Sequence, residues 1–75
     1  MNNARRKTIE ELSNKLDNLH SELIDVLNEE EETFYNMPES LQYSDRGMTS
    51  QDAQDKLNEA IDSIGEAIEI LNEII

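Results

Sequence analysis

The stretch Asn36-Met37-Pro38-Glu39-Ser40-Leu41-Gln42-Tyr43-Ser44-Asp45-Arg46-Gly47 decides the fold, because the chain on either side of it reads as long acidic helix. A helix running straight through would make the protein one rod. Pro38 disfavours helical geometry at Met37, so the sequence breaks there and the two arms fold back on each other. The connector expected from this is residues 37–48, longer than the ~2–8 residues that a plain helical hairpin needs. The surplus can form a short helix, with Pro38 suited to its first position. Gly47 is expected to take a left-handed conformation before the second helix starts at Thr49.

Working outward, residues 8–36 are expected to form helix 1, preceded by a basic tail over residues 1–7. Thr8-Ile9-Glu10-Glu11 fits a capping box. Ile9, Leu12, Leu16, Leu19, Leu23 and Val26 alternate at three and four residues, the spacing of a heptad stripe, and Ile24, Leu27 and Phe34 widen it. Residues 49–75 are expected to form helix 2, capped by Thr49-Ser50-Gln51-Asp52. Its stripe is Leu57, Ile61, Ile64, Ile68, Leu71 and Ile75. Beside it Ala53, Ala60 and Ala67 recur every seventh residue, with Gly65 close by, an edge of small residues expected to face a neighbouring helix.

Charge supports an antiparallel arrangement. Glu29–Glu32 place four negative charges at the negative end of the first helix dipole, where Arg46 and Lys56 would come near in a hairpin. Arg5, Arg6 and Lys7 would come near Glu69 and Glu73. Within the helices, Glu11–Lys15 and Asp52–Lys56 have the order and spacing of stabilising pairs. The fold class expected is therefore all-α, a single-domain antiparallel helical hairpin.

One hairpin covers only one side of each broad apolar face, and two helices make a poor core. The expected remedy is self-association into a homo-oligomeric helical bundle, most simply a two-fold dimer. Its core is expected to contain Leu16, Leu23, Leu27, Leu57, Ile61, Ile64, Ile68 and Leu71.

The 75 residues carry 18 acidic and 6 basic side chains, a formal net charge of −12, and no cysteine. A disulfide framework or thiolate metal site is excluded. From Thr8 onward only Lys15, Arg46 and Lys56 oppose the acids, a field that repels nucleic-acid phosphates and argues against direct nucleic-acid binding. The same field suits a mimic of nucleic acid on a basic protein surface, or simply two solvated helix faces. No apolar run approaches membrane-spanning length, and the start MNNARRKTIEEL has positive charge without a hydrophobic stretch behind it, so a cytoplasmic protein is expected.

Asp17 lies three residues before His20, the single histidine, a spacing found in one arm of helical di-metal sites. The matching positions of helix 2 are Ile, Leu and Ala, so the expectation is a bundle histidine and no metal. No nucleophile–base arrangement or phosphate loop is present, and neither enzyme activity nor a cofactor is expected.

The connector carries more chemistry than a turn requires. Arg46 offers a planar fork of donors for phosphate or carboxylate. The helix starting at Thr49 would add free amides and a positive dipole end. Asn36, Ser40, Gln42 and Ser44 can donate further hydrogen bonds, and Tyr35 and Tyr43 can stack on a base. Each residue also has a plain structural reading. Arg46 can pair with Glu29–Glu32; Phe34, Leu41 and Met48 can cap the core; the tyrosines can plug the surface; Ser44 and Asp45 can make a local turn.

Residues 29–47, EEEETFYNMPESLQYSDRG, resemble the centre of a group of short acidic helical proteins from phages and mobile elements of Gram-positive bacteria. The shared pattern is an acid run, an aromatic, Asn-x-Pro-Glu-Ser-Leu-Gln, a spacer, Ser-acid-Arg-Gly, then an acidic Ala/Ile/Leu helix. Tyr43 and Asp45 occupy the spacer and acid positions. The resemblance implies a phage-like context, hence a host cytoplasm, and an important connector; it implies no mechanism. In that context the expected function is non-enzymatic sequestration of a small anionic, nucleotide-like signal through Tyr35, Asn36, Ser40, Gln42, Tyr43, Ser44, Arg46 and Thr49, countering host defence. The alternatives are an acidic inhibitor or adaptor of a basic host protein, and a structural phage component.

Overall fold

The computed structural model describes residues 1–75 and contains helices and no strand: α1 (Asn3–Tyr35), α2 (Glu39–Gln42) and α3 (Asp45–Asn72). The two long helices pack against each other, and the molecule measures 58 × 14 × 12 Å. Two side-chain bonds near opposite ends fix the helices as antiparallel. Ser13 Oγ bonds Asn72 Oδ1 at 3.3 Å, and Ser50 Oγ donates to Glu30 Oε1 at 2.8 Å. No helix is long and apolar enough to cross a membrane.

The seam follows strict heptad steps. On α1 the seam positions are Ile9, Ser13, Leu16, His20, Leu23, Leu27, Glu30 and Phe34, and on α3 Gly47, Ser50, Gln54, Leu57, Ile61, Ile64, Ile68 and Leu71; Ile24, Glu31, Gly65 and Ala67 beside them are half-buried. Only Leu27, Phe34 and Ile61 are buried apolar side chains, and the rest of the seam's large apolar residues are half-covered. The stripe expected on helix 1 is therefore only half right. Leu12, Leu19 and Val26 stand about half exposed, at 50%, 52% and 48%, while Ser13, His20 and Leu27 take the seam. Physically, a helix with apolar residues on two adjacent stripes can turn only one toward a single partner. The alanine edge behaves alike in part: Ala53 and Ala60 are exposed and Ala67 is half-buried, while Gly65 lies beside His20.

The helix ends differ from those expected. α1 starts at Asn3 rather than residue 8, because Asn2 Oδ1 accepts from the Arg5 amide at 2.8 Å and nucleates the helix earlier. The basic tail thus forms the first turns. Thr8 makes no capping box; its hydroxyl donates to the Ala4 carbonyl inside the helix. α1 stops at Tyr35 with Asn36 as its C-cap, one residue earlier than expected. α3 starts at Asp45 rather than 49, with Ser44 as N-cap and an acid in the first turn, and ends at Asn72 rather than 75. Thr49, expected as the cap, instead donates to the Asp45 carbonyl at 2.8 Å.

The expected charge pairs do not form within the chain. Its one ion pair joins Lys56 Nζ to Glu59 Oε2 at 3.7 Å, on the surface, in place of Asp52–Lys56. Side chains this exposed gain little from holding one geometry.

Candidate functional site at the connector end

Residues 36–44 are a built corner. The Asn36 amide donates to Glu32 and the Met37 amide to Phe34, closing the last turn of α1. Pro38 enters the corner extended, and its carbonyl accepts from the Leu41 and Gln42 amides, which makes α2. Gln42 then ties the corner back. Its Nε2 donates to the Phe34 carbonyl at 3.2 Å, which also accepts from the Met37 amide, and to the Met37 carbonyl at 3.3 Å.

Gly47 is buried within α3, and no glycine of the chain has positive φ, so the left-handed turn expected there is absent. The reason for glycine is proximity. A Cβ at Gly47 would lie 2.1 Å from the Gln42 carbonyl oxygen and 2.6 Å from that of Leu41. α2 therefore rests on the first turn of α3 at a distance that only a hydrogen permits.

The small Ser50 leaves space at this end of the seam. A cavity of about 450 Å³ is lined by Glu30, Thr33, Met37, Arg46, Thr49 and Ser50. Glu30 is held from inside it: Ser50 Oγ donates to Oε1, and Gln54 Nε2 donates in turn to Ser50 Oγ at 3.3 Å. Arg46, exposed on the rim, makes no ion pair, so its expected pairing with Glu29–Glu32 is not formed.

The residues singled out from sequence separate into three groups. Arg46 and Thr49 line the cavity. Asn36, Gln42 and Ser44 hold the corner; the Ser44 hydroxyl donates to the Leu41 carbonyl. Tyr35, Tyr43 and Ser40 stand outside, the tyrosines 72% and 79% exposed, with Tyr35 edge-on to Phe34. Of the expected core caps, Phe34 is buried, whereas Leu41 and Met48 are exposed, because the corner turns them outward. Sequence reasoning missed Glu30, Thr33, Met37 and Ser50. The heptad continued from Leu23 and Leu27 does place Glu30 inward, and a carboxylate at a seam position was the available signal.

No protein-family model matches the sequence, and no curated protein or solved structure is significantly similar to it.

Proposed function

We propose that the protein is a non-enzymatic, homo-oligomeric binding protein that holds a small anionic, nucleotide-like ligand at the connector end. The observation that supports this is the cavity lined by both Glu30 and Arg46, the arginine without an ion-pair partner. Its volume of about 450 Å³ falls in the ~300–1,000 Å³ range of small-molecule sites. A guanidinium matches phosphate or carboxylate through two parallel hydrogen bonds. Glu30 sharpens the choice. A carboxylate repels a bare polyanion but accepts from an amine, so a ligand with both phosphate and an amino-bearing base fits better than inorganic phosphate. In the phage-like context that the resemblance implies, the use would be sequestration of a host signal.

Calorimetric titration with mono-, di- and cyclic nucleotides, and with inorganic phosphate, tests the reading. Saturable binding of a nucleotide is expected, weakened ~10–100-fold in Arg46→Ala, the loss of one charged hydrogen-bonding group. No heat with any member of the panel would overturn it.

A second reading is an acidic adaptor for a basic protein surface. It is favoured by the exposure of most of the 18 acids, with one ion pair among them. It predicts capture of a basic partner that is lost at high salt and unaffected by Arg46→Ala.

A further inference from the structure

We infer that two copies dock head to tail through one particular face of the hairpin, and that Arg5 of the second copy reaches the cavity of the first. The inference rests on the self-association proposed above and gives it a surface and an orientation.

The two faces beside the seam differ in chemistry. On one, α1 carries Leu12, Leu19 and Val26, and α3 carries Ala53, Ala60 and Ala67. On the other, the equivalent residues are mostly polar or acidic, among them Glu10, Asp17, Glu31, Asn58 and Asn72, with the half-buried Ile24 as the large apolar exception. The apolar rows run along the same side of the molecule. Thr33 and Arg46, one heptad beyond Val26 and one before Ala53, line a single cavity together. Leucines half exposed on a regular stripe form a patch, not scattered surface residues.

What covers this patch is indicated by its symmetry and its charge. Leu12 and Val26 lie equally far either side of Leu19, and so do Arg5 and Thr33. On α3, Ala60 and Ala67 flank Ile64. These two midpoints are level, since a Cβ on Gly65 would lie 3.4 Å from His20 Nε2. One two-fold axis across the face therefore serves both rows. It sets Leu19 on its own copy, Leu12 on Val26, Ala60 on Ala67, and Arg5 on Thr33 with Glu29 and Glu30 within a turn.

Charge complementarity selects this orientation. Arg5–Lys7 sit at the positive end of the α1 dipole and Glu29–Glu32 toward its negative end, and neither group has an ion pair within the chain. Head-to-tail docking brings each cluster over the other. Docking with both connectors at one end would stack the two acid runs, which costs association. A face of 58 by 14 Å offers about 800 Å² per copy, the size of a standard stable interface.

Sedimentation equilibrium and a short bismaleimide crosslinker, applied to the full chain, test the inference. The wild type is expected to be a dimer. Leu19→Cys is expected to crosslink to itself and Asp17→Cys, on the opposite face, not to. Leu19→Glu is expected to weaken association at least ~100-fold by placing a charge at the axis. Arg5→Glu should weaken it too, and mixing that variant with Glu29→Arg should restore mixed dimers. A wild-type monomer at micromolar concentration would overturn the self-association itself. A dimer that crosslinks through residue 17 and not 19 would leave self-association standing and overturn this face and orientation. Should Leu19→Glu fail to fold, the crosslinking pair decides alone.

Discussion

At Gly47 a hydrogen in place of a methyl group permits the corner. Helix propensity alone favours alanine there by ~1 kcal/mol. The structure opposes it with a backbone oxygen 2.1 Å from the position a Cβ would take. The clash is with main chain and cannot be relieved by turning a side chain, so overpacking, which costs ~1–3 kcal/mol or more, outweighs the propensity gain. Gly47→Ala is expected to lower the thermal midpoint, by ~4–8 °C per kcal/mol for a domain of this size, read by circular dichroism. Gly65→Ala should do the opposite. Its Cβ would meet only His20 Nε2 at 3.4 Å, an ordinary contact, so propensity prevails and the midpoint should rise by a few degrees. Sequence alone could not separate these two glycines. A glycine ahead of Thr49 reads naturally as a turn, and only the distance to the Gln42 carbonyl reveals a residue chosen for proximity. Arg46 was legible because an isolated cation in an acidic chain is conspicuous, whereas Gln42 and Ser44, also read as ligand groups, have their partners in the backbone of the corner itself.

At the scale of the element, α1 runs against its own dipole. It has no acid in its first turn and no base in its last, with Arg5–Lys7 near one end and Glu29–Glu32 near the other. The early start of the helix therefore depends on Asn2. Asn2→Ala is expected to cost ~0.5–2 kcal/mol locally, the usual worth of an N-cap. Amide exchange should accelerate from Arg5 through Thr8 while the seam around Leu27 stays protected. Equal acceleration throughout would contradict the assignment. The existence of both long helices was legible from heptad spacing, and the break from Pro38. Their ends were not, because Asn2 and Thr8 both satisfy cap chemistry, as do Ser44 and Thr49. The choice between them depends on whether the residues after each can already be helical. On α1, stripes from Leu12 and from Ser13 are both compatible with period, and which one meets α3 is decided by the partner.

For the whole molecule, the separation of a polar face from an apolar one is the feature that a lone hairpin does not use. A net charge of −12 with a single intrachain ion pair also means that salt screens more repulsion than attraction. Raising ionic strength from about 0.01 M to about 0.15 M shortens the screening length from ~30 to ~8 Å and is expected to raise the thermal midpoint. A fall would mean that attractive pairs dominate instead. We propose that this hairpin is half of a bundle, with Leu12, Leu19 and Val26 as the surface that completes it. Sedimentation equilibrium over low micromolar concentrations tests that most directly. A bundle of two copies gives a species of twice the 8.6 kDa chain mass, with helicity that falls as the protein is diluted toward monomer. A cooperatively folded 8.6 kDa species, with helicity independent of concentration, would contradict it.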